Sequence, residues 1–182
     1  MVGYEWVESL EAFCFTAVVG LDPPETARRL DGDVADGELR TFDECFWAAD
    51  GPQWAQIGPV EGGVLVAENN GWRAEECIER LSKDVRVACF FRNVQAVMHF
   101  VYAVDGRILA EFDPLLDIGP RTGHDPHSID PALQGLPFGL FGAERSALTL
   151  LERLTGVSID PDWLAAPQRA VVLPPLTSPI PQ

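Results

Sequence analysis

The sequence predicts an α+β fold: a single, mainly antiparallel sheet of five or six strands with helices packed on one face. Two long apolar runs joined by Asp105-Gly106 form the strongest short hairpin signal in the chain. A strand-like run at residues 64–68 ends at Asn69-Asn70-Gly71, and residues 143–155 carry apolar residues at helical spacing. The hairpin at residues 97–112 and the strand before it are expected to form the middle of the sheet.

The N-terminal third predicts one strand and two short helices. Residues 12–19 (AFCFTAVV) predict a buried strand that ends at Gly20, with a helix continuing from Val7 as the alternative. Asp22, two prolines and Glu25 have the spacing of a capped helix start, which predicts a helix through Leu30. Residues 41–44 (TFDE) repeat that spacing and predict a second short helix through about residue 49.

The middle third predicts alternating strands, with one helix. Residues 54–57 and 64–68 are expected to be strands, and the Asn-Asn-Gly sequence after them a tight turn. Residues 74–82 predict a helix with an apolar stripe, and residues 85–91 and 97–104 predict strands. The link at residues 92–95 is a turn in this interpretation, and an unbroken bent strand is the alternative.

The Asp105-Gly106 turn also predicts a register. A two-residue turn places Val104 opposite Arg107, Tyr102 opposite Leu109 and Phe100 opposite Glu111. The other face is more apolar and is expected to face the core. Its members are His99, Val101, Ala103, Ile108, Ala110 and Phe112.

The C-terminal third predicts one long helix between irregular segments. Residues 114–142 are rich in Gly and Pro and predict a long packed loop. The helix at residues 143–155 is expected to stop at Gly156, and a short turn carrying Trp163 follows. Residues 167–182 hold five prolines, so we expect one globular domain at residues 1–166 and an extended tail at residues 167–182.

The charge of the chain limits the classes of partner. The net charge is −15, and residues 1–50 hold twelve acids against three arginines. Because a protein needs clustered Lys and Arg side chains to bind nucleic acids or anionic membranes, neither is expected as a partner. A basic protein partner and simple solubility both account for the acids. No signal peptide, membrane span, disulfide framework or cofactor motif is recognisable, so we expect a cytoplasmic protein without a cofactor.

Two segments contain candidate binding residues. The first is the acidic loop with Asp31, Asp33 and Asp36, in which Ala35 stands where a calcium loop needs an oxygen ligand. The second is the turn with Asn69, Asn70 and Trp72, where the tryptophan serves either as a contact anchor or as a cover for the sheet edge or a pin for the following helix.

Signals for chemistry are weaker. His124 and His127 lie in a loop that lacks the further ligands of a metal site, and His99 is expected to be a satisfied core or boundary histidine. Ion pairing with a nearby arginine is the expected role of Glu111 and Asp113. No nucleophile elbow, phosphate loop or zinc motif is present, so no catalytic residue is predicted.

Several runs resemble an actinobacterial family, domain of unknown function 6461, which recurs in Streptomyces-type genomes. The resemblance covers most of residues 5–165 and rests on VLVAENNGW, CIERLSKD and FRNVQAVMHFVYAVDG, with CFTAVVGLDPPETARRL before them and ALTLLERLTGVSI after them. It implies one domain and an actinobacterial source, and it implies no activity or site residue.

The first functional hypothesis is a non-catalytic, acidic protein-interaction module, such as a regulator, adaptor or immunity-type protein. The alternative is a small-molecule-binding or hydrolytic enzyme whose cleft lies near Trp72 and His124/His127.

Overall fold

Eight antiparallel strands form one sheet in the computed structural model, which describes residues 3–48, 51–116 and 119–177. The order across the sheet is β2-β8-β3-β4-β1-β5-β6-β7. The strands are β1 (Phe13–Val19), β2 (Glu38–Arg40), β3 (Gln53–Val60), β4 (Gly63–Glu68), β5 (Arg86–Arg92), β6 (Met98–Val104), β7 (Arg107–Phe112) and β8 (Gln168–Leu173).

The expectation of five or six strands was therefore wrong, because β2 and β8 were missed. β2 is three residues long and holds a single apolar residue, Leu39, so it is too short for an alternating pattern. β8 contains the apolar run at residues 170–173, but the prolines that follow it favoured the interpretation as a tail. In the structure β8 lies between β2 and β3, with Ala55 opposite Val171. Residues 178–182 of the expected tail lie outside the described residues.

Helices cover both faces of the sheet, so the expectation of helices on one face was also wrong. The helices are α1 (Pro23–Arg29), α2 (Arg73–Glu76), α3 (Ile78–Leu81), α4 (Asp130–Leu133), α5 (Ala143–Thr155) and α6 (Pro161–Ala165). The face that carries Phe15 packs against α4, α5 and α6, and the face that carries Cys14 packs against α1, α2 and α3. Strands buried on both faces lose the alternation of polar and apolar residues, which is why β1 reads as one apolar run.

The predicted start of α1 and the predicted end of α5 are confirmed, and the other two predicted helices are not. Asp22 accepts a hydrogen bond from the backbone N–H of Glu25 at the start of α1, and α5 ends at Gly156 with φ of 79°. The helix expected at residues 74–82 is broken at Cys77 into α2 and α3. In the TFDE sequence, the N–H of Thr41 donates to the side chain of Glu44 and the N–H of Glu44 donates to the side chain of Thr41, but only a single 3₁₀ turn at Asp43–Cys45 follows. Residue 49 of the predicted helix lies outside the described residues.

The hairpin has the predicted turn but not the predicted register beyond it. Val104 pairs with Arg107, as expected, across Asp105 and Gly106, which both have positive φ. A bulge between Tyr102 and Ala103 then places Ala110, not Leu109, opposite Tyr102. Ala110 and Phe112 consequently pack on the Phe15 face, while Val101 and Ala103 pack on the Cys14 face.

No helix in the described part of the chain has the length and apolar character needed to cross a membrane.

Candidate functional site

A buried carboxylate organises the Asn69–Trp72 turn. Glu68 ends β4, has no exposed surface, and accepts hydrogen bonds from the backbone N–H groups of Arg73 (2.7 Å) and Ala74 (2.8 Å). The side-chain amide of Gln53 donates a third hydrogen bond to it. Burial raises the pKa of Glu68 to about 7, although these three hydrogen bonds oppose the rise. Gly71 leaves room for this cluster, because a Cβ there would lie 2.5 Å from Nε2 of Gln53.

The two asparagines of this turn hold the segment at residues 42–47 in place. The side chain of Asn69 donates a hydrogen bond to the carbonyl oxygen of Phe42 (3.1 Å), and that of Asn70 donates one to the carbonyl oxygen of Trp47 (3.0 Å). The backbone N–H of Trp47 also donates to the carbonyl oxygen of Asn69 (2.9 Å). Asn70 has a φ of 65°, a conformation that asparagine tolerates.

Trp72 lies in the interior rather than at the surface. Its exposed fraction is 8 %, and its ring meets those of Trp47 and Phe91 edge-on at centroid distances of 5.9 and 5.8 Å. This position supports a role as a pin between α2, the sheet and residues 42–47. It gives no support to a role as an exposed contact anchor.

The segment that these contacts position forms one wall of a surface groove. We use "the groove" for two adjoining cavities of about 290 and 220 Å³ that share Ser9, Leu10, Phe42 and Asp43. The first cavity continues to Trp6 and to Pro161, Leu164 and Ala165 of α6. The second continues to Glu11, Phe46, Asn69 and Val94. Five segments that are distant in sequence meet there, so no local motif predicted the groove.

The groove walls are fixed by hydrogen bonds. The N–H of Phe42 donates to the carbonyl oxygen of Leu164 (2.9 Å), which ties residues 41–46 to α6. The guanidinium of Arg92 donates to the carbonyl oxygens of Leu10 and Glu11, and its Nε lies 3.4 Å from a carboxylate oxygen of Glu144. The backbone on both sides of the groove is therefore held in place without a ligand.

The groove combines exposed apolar side chains with acids. Phe46 and Val94 are 55 % and 62 % exposed, although both are apolar. Glu11 and Asp43 are exposed beside them, and within the described residues neither lies in a salt bridge. Glu8, on the neighbouring turn, pairs with Arg145 at 2.8 Å.

Of the acidic-loop candidates, the structure brings only Asp31 to the turn region. Asp31 accepts hydrogen bonds from Arg73 and Arg80, each 2.7 Å long, and the Arg80 hydrogen bond lowers its pKa despite some burial. Asp33 accepts from the N–H of Ala35 and caps a short 3₁₀ turn, and Asp36 is exposed. The loop thus splits into one ion-paired acid and two exposed acids.

His99 is a boundary histidine with two carboxylate neighbours, as the sequence indicated in part. Its Nδ1 lies 2.7 Å from Oε1 of Glu75 on α2, and its Nε2 lies 3.6 Å from Oε2 of Glu111 on β7. Burial alone would lower the pKa of His99, but the Glu75 hydrogen bond and the carboxylate charges raise it. The bulge in the hairpin places Glu111 opposite Val101, on the same face as His99. Sequence reasoning missed this interaction because the bulge changes the register.

The structure does not bring His124 and His127 to the Asn69–Trp72 turn. Residues 122–125 hydrogen-bond to β7, whereas the turn follows β4, and three strands separate β4 from β7. At the usual strand spacing, that separation is about 19 Å. His127 is exposed and lies 3.1 Å from Asp130. Among the residues described, no group of three or more His, Cys, Asp or Glu side chains is arranged to hold a metal ion.

The elements above define an α+β protein with a central antiparallel sheet and a preformed surface groove. Its sequence matches the profile of a family of unknown function (DUF6461) over residues 2–175, so the chain belongs to that family. This match confirms the resemblance seen in the sequence, and the actinobacterial source stays a prediction. No curated protein and no solved structure matches the chain.

Proposed function

We propose that this protein is a non-catalytic interaction module that binds a basic partner protein through its acidic N-terminal third. The supporting observation is how many acidic side chains in residues 3–48 are exposed and form no salt bridge. Eleven Asp and Glu side chains lie in that range, and four of them form salt bridges: Glu8, Glu25, Asp31 and Glu38. The remaining seven are exposed: Glu5, Glu11, Asp22, Asp33, Asp36, Asp43 and Glu44.

Exposed acids that form no salt bridge with a described residue create a negative potential that reaches into the solvent. Such a field steers a positively charged partner and raises its association rate. The site geometry gives less support to an enzyme. The two ring nitrogens of His99 already face Glu75 and Glu111, and the segment with His124 and His127 lies far from the Asn69–Trp72 turn.

The test is affinity capture from a lysate of the source organism with two matched variants. In the first, Glu5, Glu11, Asp36 and Asp43 become the corresponding amides. In the control, Glu61, Glu79, Asp84 and Asp105, which are also exposed, become amides, so the net charge changes equally. Asp84 and Asp105 have positive φ, which asparagine accepts, so the control is expected to fold.

The wild type and the control variant are expected to retain the same partner, and the first variant is expected to lose it. Retention should also fall between about 0.1 M and about 1 M salt, where the Debye length drops from about 10 Å to about 3 Å. The proposal fails if no partner is retained at any salt concentration, or if both variants lose it equally.

A further inference from the structure

We infer that the groove is the docking site for a partner segment that carries one bulky apolar side chain flanked by Lys or Arg. The inference rests on the proposed function and assigns a place and a ligand chemistry to it. Three features of the groove support this assignment: its apolar surface, its size and its charge.

The groove brings the exposed apolar side chains of Phe46 and Val94 together in one cavity. Leu10 and Phe42 line both cavities, and Phe46 and Val94 add exposed apolar area at one end. An exposed apolar patch rimmed by polar residues is typical of an interaction site. A bulky apolar side chain docked against Phe46 and Val94 would remove their surface from water.

The size favours a side chain over a free small molecule. Taken singly, the two cavities of about 290 and 220 Å³ lie below the roughly 300–1,000 Å³ of pockets that enclose small ligands, and Phe46 and Val94 line the smaller one. Protein interfaces, in contrast, concentrate their binding energy in a few large side chains seated in small pockets. Because Arg92, Leu164 and Asn69 already fix the walls, docking requires little ordering of the groove.

The charge selects the residues around that side chain. Glu11 and Asp43 both line the second cavity, and neither forms a salt bridge with another described residue. The nearby guanidinium of Arg92 pairs with Glu144 and donates to two backbone carbonyls, and it forms no salt bridge with Glu11 or Asp43. A basic segment would pair with them, whereas an acidic one would be repelled.

The test uses the whole protein and fluorescein-labelled synthetic peptides in fluorescence anisotropy. The three probe peptides are Gly-Arg-Lys-Leu-Arg-Lys-Gly and two analogues in which Phe or Trp replaces the central Leu. One control peptide has Ala at the centre, and another has Glu in place of every base. We expect the probes to bind, the Ala peptide to bind about tenfold more weakly or worse, and the Glu peptide not to bind.

Protein variants locate the binding site. The double variant Phe46→Ala/Val94→Ala is expected to lose about tenfold or more in affinity. Its matched control is Phe141→Ala/Val172→Ala, which removes exposed apolar side chains elsewhere and is expected to bind like the wild type. Glu11→Gln and Asp43→Asn should each weaken binding about two- to fivefold at low salt. Since all these side chains are exposed, the variants should fold, and circular dichroism checks that they do.

Amide chemical-shift mapping provides a second measurement, in which the probe should shift resonances of Leu10, Phe42 and Asn69. The inference is overturned if the probes do not bind, if both double variants bind alike, or if the shifts lie elsewhere. It is also overturned if sedimentation shows a dimer that Phe46→Ala/Val94→Ala dissociates, since a second copy would then occupy the groove. If the lysate partner is lost from the variant of the N-terminal acids but is retained by Phe46→Ala/Val94→Ala, the groove assignment fails while the proposed function stands.

Discussion

The buried carboxylate of Glu68 should make the stability of the protein fall as the pH rises. Its pKa is raised from 4.5 to about 7 in the folded state. Between those two values the folded state therefore holds a proton that the unfolded state releases. Because stability falls with pH wherever the folded state binds more protons, unfolding becomes easier over that range and then levels off.

The magnitude follows from the size of the shift. A pKa change of one unit corresponds to about 1.4 kcal/mol, so Glu68 accounts for a loss of about 3 kcal/mol between about pH 5 and pH 8. Glu68 has no exposed surface, so water screens this effect little. The raised pKa of His99 acts with the same sign, since its stabilising charge is lost as the pH rises through its folded value. A variant that removes only the Glu68 titration is therefore needed.

Glu68→Gln is that variant, because glutamine is uncharged and nearly isosteric. Its amide oxygen can still accept from Arg73 or Ala74, and Gln53 can rotate its amide to accept from the new NH₂ group. Urea unfolding followed by circular dichroism should show the variant gaining about 3 kcal/mol on the wild type between about pH 5 and pH 8. The exposed control Glu61→Gln should follow the wild type. Parallel profiles for Glu68→Gln and the wild type would refute the reasoning, since Glu68 would then be ionised throughout that range.

Three further predictions test other parts of the structure. Gly71→Ala should destabilise the protein by about 2–4 kcal/mol in urea unfolding, because the added Cβ would lie 2.5 Å from Gln53 and 3.0 Å from Glu68. The control Gly51→Ala should have little effect, because the atom nearest to its added Cβ lies 3.5 Å away. Glu75→Gln should lower the pKa of His99 in an NMR titration, because it removes the carboxylate that holds the imidazolium, and an unchanged pKa would contradict that assignment. Truncation after residue 167 should abolish the folded state in circular dichroism, since it removes β8 from between β2 and β3. A cooperative unfolding transition in the truncated protein would contradict this topology.

The sequence predicts the parts of this fold that local patterns encode. The strand at residues 12–19, the cap at Asp22, the hairpin turn and the helix at residues 143–155 all have short-range signals, and all occur in the structure within a residue or two. β8 was missed because its apolar run is only four residues long and prolines follow it. The distribution of helices over both faces depends on packing between distant segments, which a single sequence does not encode locally.

The candidate site shows the same limit. Asn69, Asn70 and Trp72 stand out because Asn-Asn-Gly-Trp is a recognisable turn, and the structure shows what they position. Glu68 directly precedes that turn, and its place at the end of an apolar strand was an available signal for a buried acid. Leu10, Phe46 and Val94 lack any such signal, since the groove exists only after their segments meet.

The position of β8 has a consequence for synthesis on the ribosome. Its two neighbours, β2 and β3, emerge from the exit tunnel more than a hundred residues before it. While translation continues, the nascent chain carries β3 with an unpaired edge and β2 without any partner. An unpaired edge strand is a template for association with other chains, so the interval before residues 168–173 emerge is when a chaperone would protect this protein most.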